Sequence, residues 1–220
     1  MVINLKHNPT ANFREDADTI PQKRDVYVTG FGKFGDVAEN PTTLLVKNLA
    51  EHAKVTEAHV LEVSVKCCME TLANIYARAE ERKRPCILLH FGVSPDACTF
   101  LLEQAAYNIA DFRIPDERGY VATNEAIVEG EPDYFVTKVP LVEMLKTLQT
   151  VHPKIAISTN PGRFICNYVY FLSLVWTERQ AAKYNSEYLT LFVHVPAFQN
   201  VTYQDQVALA SKIVDSVAEL

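Results

Sequence analysis

From Asp25 onward, short apolar runs alternate with longer amphipathic segments, and this alternation constrains the fold more than any other feature of the chain. The short runs are 26–29, 60–65, 86–91, 154–158 and 188–195. Most are rich in β-branched residues, which suits strands. Between them, 42–53, 65–82, 140–151, 165–184 and 205–220 read as helices. In 65–82, for example, Met69, Leu72, Ile75, Tyr76 and Ala79 recur at helical spacing. Strand alternating with helix predicts an α/β fold with helices on both faces of a largely parallel sheet. The continuous apolar runs 86–91 and 188–195 suit its central strands.

Residues 1–24 read as an N-terminal extension, polar and without a sustained period, leaving 25–220 as a single domain. Lys plus Arg is 21 against 27 Asp plus Glu, a formal net charge of −6. A general nucleic-acid binder would carry a basic patch or stripe, so no nucleic-acid partner is expected. No apolar run approaches the roughly 18 residues of a membrane span. The first residues lack the apolar core of a signal peptide, so the expected location is the cytosol. The five cysteines (67, 68, 86, 98 and 166) are odd in number and form no C-x-x-C, which predicts free thiols. The six histidines make no H-x-x-x-H pair, and no metal site is expected.

In an open α/β sheet, ligands bind beyond the carboxyl ends of the strands. Cys166 follows the run 154–158 and a glycine-containing turn, at the start of the apolar segment 165–176. A helix N-terminus stabilises a thiolate, and its free N–H groups can hold an oxyanion. His194 lies in an otherwise apolar strand, where a lone histidine is more often a satisfied core residue. Beside a cysteine it becomes the base that activates the thiol. Glu103 has apolar neighbours and is the candidate acid to orient His194.

Residues 30–35 match G-x-G-x-x-G after a strand, the pattern of a dinucleotide-binding turn. In that fold the helix opens within the glycines. Here 36–41 intervene, and Asn40-Pro41 carries the signal of the helix start, cap then first turn. The nucleotide-dependent oxidoreductase reading is therefore set aside. Phe31 and Phe34 instead offer two aromatic walls for a small apolar pocket.

Together these residues resemble the pyroglutamyl peptidase I family of cysteine peptidases, from Asp25 to about Pro196. The turn G-F-x-x-F-G followed by N-P appears as Gly30-Phe-Gly-Lys-Phe-Gly35 and Asn40-Pro41. The nucleophile motif appears as Gly162-Arg-Phe-Ile-Cys166-Asn167, and the histidine motif as Phe192-Val-His194-Val-Pro196. Between them stand Glu103, Asn108 and Arg113-Ile-Pro-Asp116. No single motif is specific; four in the family's order are.

The resemblance implies a three-layer α/β/α sandwich around a twisted, largely parallel (mixed) sheet. It implies an omega-peptidase that removes N-terminal pyroglutamate from peptides through an acyl-enzyme, with no cofactor. Cys166 would be nucleophile, His194 general base and acid, and Glu103 the orienter of His194. Phe31, Phe34 and Phe164 would line the ring pocket, Asn40 and Arg113 would match polar and basic positions near it, and Gly92 the backbone turn that holds the lactam. Some members assemble into homo-oligomers and others do not. The chain departs from the family pattern at Lys33, Val93, Gln104 and Asn160-Pro161, and a polar stretch at 177–186 is expected to lengthen a loop. A catalytically dead relative that binds peptide termini is the remaining alternative; Cys166, His194 and Glu103 argue against it.

Overall fold

A computed structural model describes residues 24–35, 37 and 39–220. The expected extension, apart from Arg24, lies outside the described residues. Arg24 itself is buried, and its guanidinium donates to the Glu187 carboxylate at 2.6 Å and the Leu220 carbonyl at 2.9 Å.

The elements run β1 (Asp25–Phe31), α1 (Pro41–Leu49), β2 (Glu57–Leu61), α2 (Val65–Arg82), β3 (Cys86–Ser94), β4 (Phe100–Glu103), β5 (Ala105–Tyr107), β6 (Tyr134–Val136), α3 (Leu141–Gln149), β7 (Ile155–Ser158), α4 (Ile165–Tyr184), β8 (Tyr188–Pro196) and α5 (Tyr203–Ala218). Six strands form one sheet in the order β2-β1-β3-β8-β4-β7, and β5 pairs with β6 in a small antiparallel sheet. The pairings β2–β1, β1–β3 and β3–β8 are parallel. β4 runs antiparallel to β8 and parallel to β7, so the last two strands point the other way.

Alternation along the central strands sorts residues between two cores. Val26 and Val28 of β1, Ile87 and Leu89 of β3, and Leu191, Val193 and Val195 of β8 pack with α1, α3 and α5. Tyr27 and Phe31, Leu88, and Tyr188 and Phe192 face α2 and α4. The result is a three-layer α/β/α sandwich around a mixed sheet, as expected.

The helix starts follow their caps. Asn40 Oδ1 accepts from the Thr42 amide at 3.1 Å, with Pro41 in the first turn of α1. Ser64 caps α2 and accepts from the Cys67 amide at 3.3 Å. That cap corrects the expected strand 60–65: β2 ends at Leu61, because Ser64 already opens the next helix. The loop expected over 177–186 is also corrected, since Thr177 to Tyr184 continue α4.

Candidate active site

β3 and β8 lie side by side, with Gly92 opposite His194. β4 lies on the other side of β8, with Glu103 opposite Phe192. Residues paired across neighbouring strands share a face, and so do residues two apart on one strand. His194, Phe192 and Glu103 therefore all face α4. Glu103 is fully buried, and its Oε1 meets His194 Nδ1 at 2.8 Å.

The expected assembly at strand carboxyl ends needs correction. Because β4 and β7 run opposite to β8, Glu103 reaches His194 across an antiparallel pairing, on the face of the sheet. Cys166 arrives from above that face. It is the second residue of α4, whose N-cap Phe164 makes no side-chain capping bond. The first-turn amides around Cys166 thus have no capping side chain to satisfy them.

His194 is 7% exposed. Burial opposes its positive charge, but hydrogen bonds to Cys166 and Glu103 and their negative charge outweigh that, and its pKa is pushed up to about 9. Cys86, a buried thiol on the same sheet, shows the opposite outcome: burial dominates and pushes it up to about 12.

Gly92 is not in a turn, as the sequence implied, but inside β3. A Cβ there would lie 2.7 Å from Phe192 Cζ and 3.0 Å from Cys166 Sγ. The missing side chain is what lets the thiol settle against the sheet beside His194. Before Cys166, the turn is shaped by Gly162 at φ +77 and by Asn160, whose Oδ1 accepts from the Gly162 amide at 3.3 Å.

Beside Cys166 is a cleft lined by Phe31, Phe34, Asn40, Val63, Val93, Phe164, Ile165 and Cys166. Five of the nine residues singled out from sequence, Cys166 among them, therefore line it. The Phe34 and Phe164 rings stand 6.3 Å apart at 41°. Phe112, absent from the sequence reading, braces Phe164 edge-on at 4.8 Å. Asn40 is buried and spends its amide on the turn: Nδ2 donates to the Gly32 carbonyl at 2.9 Å, and Oδ1 also accepts from Thr42 Oγ1 at 2.8 Å. Arg113 does not line this cleft. It is exposed and borders a wider one, with Asp111, Ile114 and Arg163, on the other side of Phe164.

Asn167, quoted only as part of the nucleophile motif, does structural work next to Cys166. It is fully buried; Oδ1 accepts from the Tyr107 amide at 2.8 Å, and Nδ2 donates to the Tyr107 and Ile109 carbonyls at 2.8 and 3.0 Å. A buried asparagine in an apolar helix was the available signal, since such a group is buried only when satisfied. The G-x-G-x-x-G pattern does not itself open a helix: Gly30 lies within β1, α1 starts only at Pro41, and a Cβ on Gly30 would sit 2.6 Å from Val46 Cγ2 on α1. Its glycine serves helix–strand packing.

Comparison with known proteins agrees with this architecture. The sequence model of the pyroglutamyl peptidase family matches residues 24–218. The chain is 31% identical over 171 residues to the pyrrolidone-carboxylate peptidase of Pyrococcus furiosus, covering 78% of this chain and 80% of that protein. With the pyrrolidone-carboxylate peptidase of Enterococcus faecalis it shares 30% over 199 residues, 88% of each. Among solved structures, the pyrrolidone carboxyl peptidase of Fervidobacterium islandicum superposes with a TM-score of 0.78 at 25% identity, covering 90% of this chain and 99% of that one. That of Thermococcus litoralis gives 0.77 at 26%, covering 89% and 93%.

Proposed function

Because the chain belongs to the pyroglutamyl peptidase family, we propose that Cys166, His194 and Glu103 form the catalytic triad of a cysteine peptidase that removes N-terminal pyroglutamate from peptides. The observation that carries these roles is the line from the buried Glu103 carboxylate through His194 to the thiol at the head of α4.

The chemistry follows from that line. The Glu103 carboxylate fixes Nδ1–H of His194, which leaves Nε2 for the sulfur. The Cys166 sulfur attacks the carbonyl carbon that joins pyroglutamate to the next residue. The resulting oxyanion sits where the first-turn amides of α4 are free. His194 gives its proton to the leaving amine, the C–N bond breaks, and a thioester remains. Water, deprotonated by His194, then hydrolyses the thioester and frees the thiol. Every proton in this cycle is carried by His194, and no cofactor enters it.

The cleft explains the substrate. Pyroglutamate is a neutral, compact lactam. Phe31, Phe34 and Phe164 offer flat apolar faces to such a ring, with Val93 and Ile165 closing the slot. Among the described lining residues other than Cys166 none carries a charged side chain, so these walls suit a neutral lactam better than a prolyl ammonium. Gly92 leaves room for the thiol beside the slot, Asn40 holds the wall of the slot in shape, and Arg113 offers a cation to the peptide beyond Phe164. Among the described residues no helix is long and apolar enough to cross a membrane. A free thiol nucleophile fits the reducing cytosol.

Release of a fluorogenic amine from a pyroglutamyl amide, with the prolyl amide as control, tests the reading. Wild type is expected to turn over the pyroglutamyl amide alone, and Cys166→Ala neither. Equal inertness of both proteins would leave a protein that only binds pyroglutamyl termini.

A further inference from the structure

Cys166, Tyr170, Ser173 and Thr177 are spaced four, three and four residues apart, so they form one stripe along α4. The stripe faces the sheet, where apolar residues are the rule, yet all four side chains are polar. Cys166 stands over Gly92, which is paired with His194 on the next strand. Each of the others meets a polar partner below. The Tyr170 hydroxyl donates to the Glu103 carbonyl at 2.7 Å. Ser173 Oγ lies 3.0 Å from His90 Nε2. Thr177 Oγ1 lies 3.0 Å from the Ser173 carbonyl of its own helix and 3.2 Å from Thr190 Oγ1, which itself lies 3.2 Å from that carbonyl.

The rungs descend in order. From Cys166 to Thr177 the helix rises about 16 Å, and from His194 back to Thr190 the strand spans about 13 Å, so α4 runs antiparallel to β8 rung by rung. The Ser173 rung continues sideways. His90 Nδ1 lies 2.7 Å from Thr29 Oγ1 on β1, and the Tyr76 hydroxyl lies 2.8 Å from Ser173 Oγ on the far side. Tyr170, Ser173, Thr177, His90, Thr190 and Thr29 are all buried.

We propose that the polar stripe Tyr170–Ser173–Thr177, with His90 and Thr190 beneath it, sets the register of α4 on the sheet and so positions the Cys166 thiol against His194. Apolar packing is non-directional and tolerates sliding. Hydrogen bonds are not tolerant: they weaken steeply with distance and angle. Advancing α4 by one residue shifts it about 1.5 Å and turns it about 100°, which breaks every rung at once. These are positioning residues, since none touches the reacting atoms. The proposal rests on Cys166 being the nucleophile.

The test uses Ser173→Ala, Thr177→Val and Thr177→Ser. Two readouts are followed: turnover of the pyroglutamyl amide, and the pH dependence of Cys166 alkylation by iodoacetamide, read on the Cys166 peptide by mass spectrometry. The second needs no substrate, so it stands even if wild type proves inert toward that amide. Ser173→Ala and Thr177→Val are expected to lower kcat by about tenfold to a hundredfold, with KM within about twofold of wild type. Their alkylation profiles should shift toward that of His194→Ala, in which the thiol has no imidazole partner. Thr177→Ser keeps the hydroxyl and should restore both readouts. If Ser173→Ala does not fold, the Thr177 pair carries the test. Wild-type alkylation profiles and kcat in the folded variants, whatever their melting temperatures, would overturn the proposal. So would a Thr177→Ser protein as impaired as Thr177→Val.

Discussion

His90 and His194 stand on adjacent strands, face the same helix, and are almost equally hidden from water at 0% and 7% exposure. They are driven in opposite directions. Burial alone acts on His90 and lowers its pKa to about 3. Burial acts on His194 too, but the bonds to Cys166 and Glu103 reverse it and raise the pKa to about 9. The difference lies in the partners. Thr29 and Ser173 offer His90 hydroxyls, which satisfy a neutral imidazole but bring no charge. Glu103 offers His194 a carboxylate in a buried site. Under one helix, the same side chain is held neutral in one place and favoured in its charged form in the other.

Removing the charge while keeping the shape attacks this comparison most strongly. Glu103→Gln is expected to lower kcat by about a thousandfold or more, because His194 loses both its tautomer and its charge partner. Its alkaline limb of activity, set by His194 deprotonation near pH 9 in wild type, should move to lower pH. A pH–rate profile of the two proteins checks both statements.

Disturbing the space between the two histidines should do less. Gly92, two residues after His90 and opposite His194, lies under the thiol. Gly92→Ala is expected to lower kcat by about tenfold to a hundredfold as the new Cβ displaces Cys166 or Phe192. The overpacking should lower stability by about 1–3 kcal/mol in urea unfolding.

The smallest effect sharpens the comparison through stability. His90 stays neutral when folded, whereas in the unfolded chain it takes up a proton below its usual pKa of 6.5. Stability is therefore lost as pH falls from 6.5 toward 3. His194 binds its proton more tightly when folded. Its contribution is complete below pH 6.5 and is lost as pH rises through about 9. His90→Gln should flatten the acid slope by about 1 kcal/mol per pH unit and leave the alkaline slope alone. Glu103→Gln should flatten the alkaline slope. Urea unfolding between pH 4 and 9.5 reads both slopes.

Much of this was legible in the chain. Helix 65–82 was readable from apolar spacing and appears as α2 at those bounds, and 165–184 appears as α4 although its polar end was also expected to loop. Asn40-Pro41 marked the start of α1 because capping is a local affair. The runs 154–158 and 188–195 were readable too and appear as β7 and β8, but β4, β5 and β6 were not. β4 has four residues and β5 and β6 three each, too short for a period to show, and strand direction leaves no trace in composition. Cys166, His194 and Glu103 were singled out for their residue types and neighbours, and the structure brings them together by a different route, across the face of the sheet. The family resemblance implied a backbone turn at Gly92; its actual demand is for empty space beneath a sulfur, which only tertiary packing reveals. Tyr170, Ser173 and Thr177 passed unnoticed, since a polar residue every turn or so in an apolar helix looks incidental until its partners are known. Arg113 shares a sequence motif with the site but lies across Phe164 from the thiol.

The most direct test is a pH titration of protein with isotope-labelled histidine, followed by the ring resonances in NMR spectra. The account predicts one buried histidine, lost in His194→Ala, that stays protonated up to about pH 9, and another, lost in His90→Gln, that stays neutral down to the acid limit of the fold. If both titrated together near 6.5, or if His194 were neutral at pH 7, burial and partners would not divide the two histidines, and the central claim would fail.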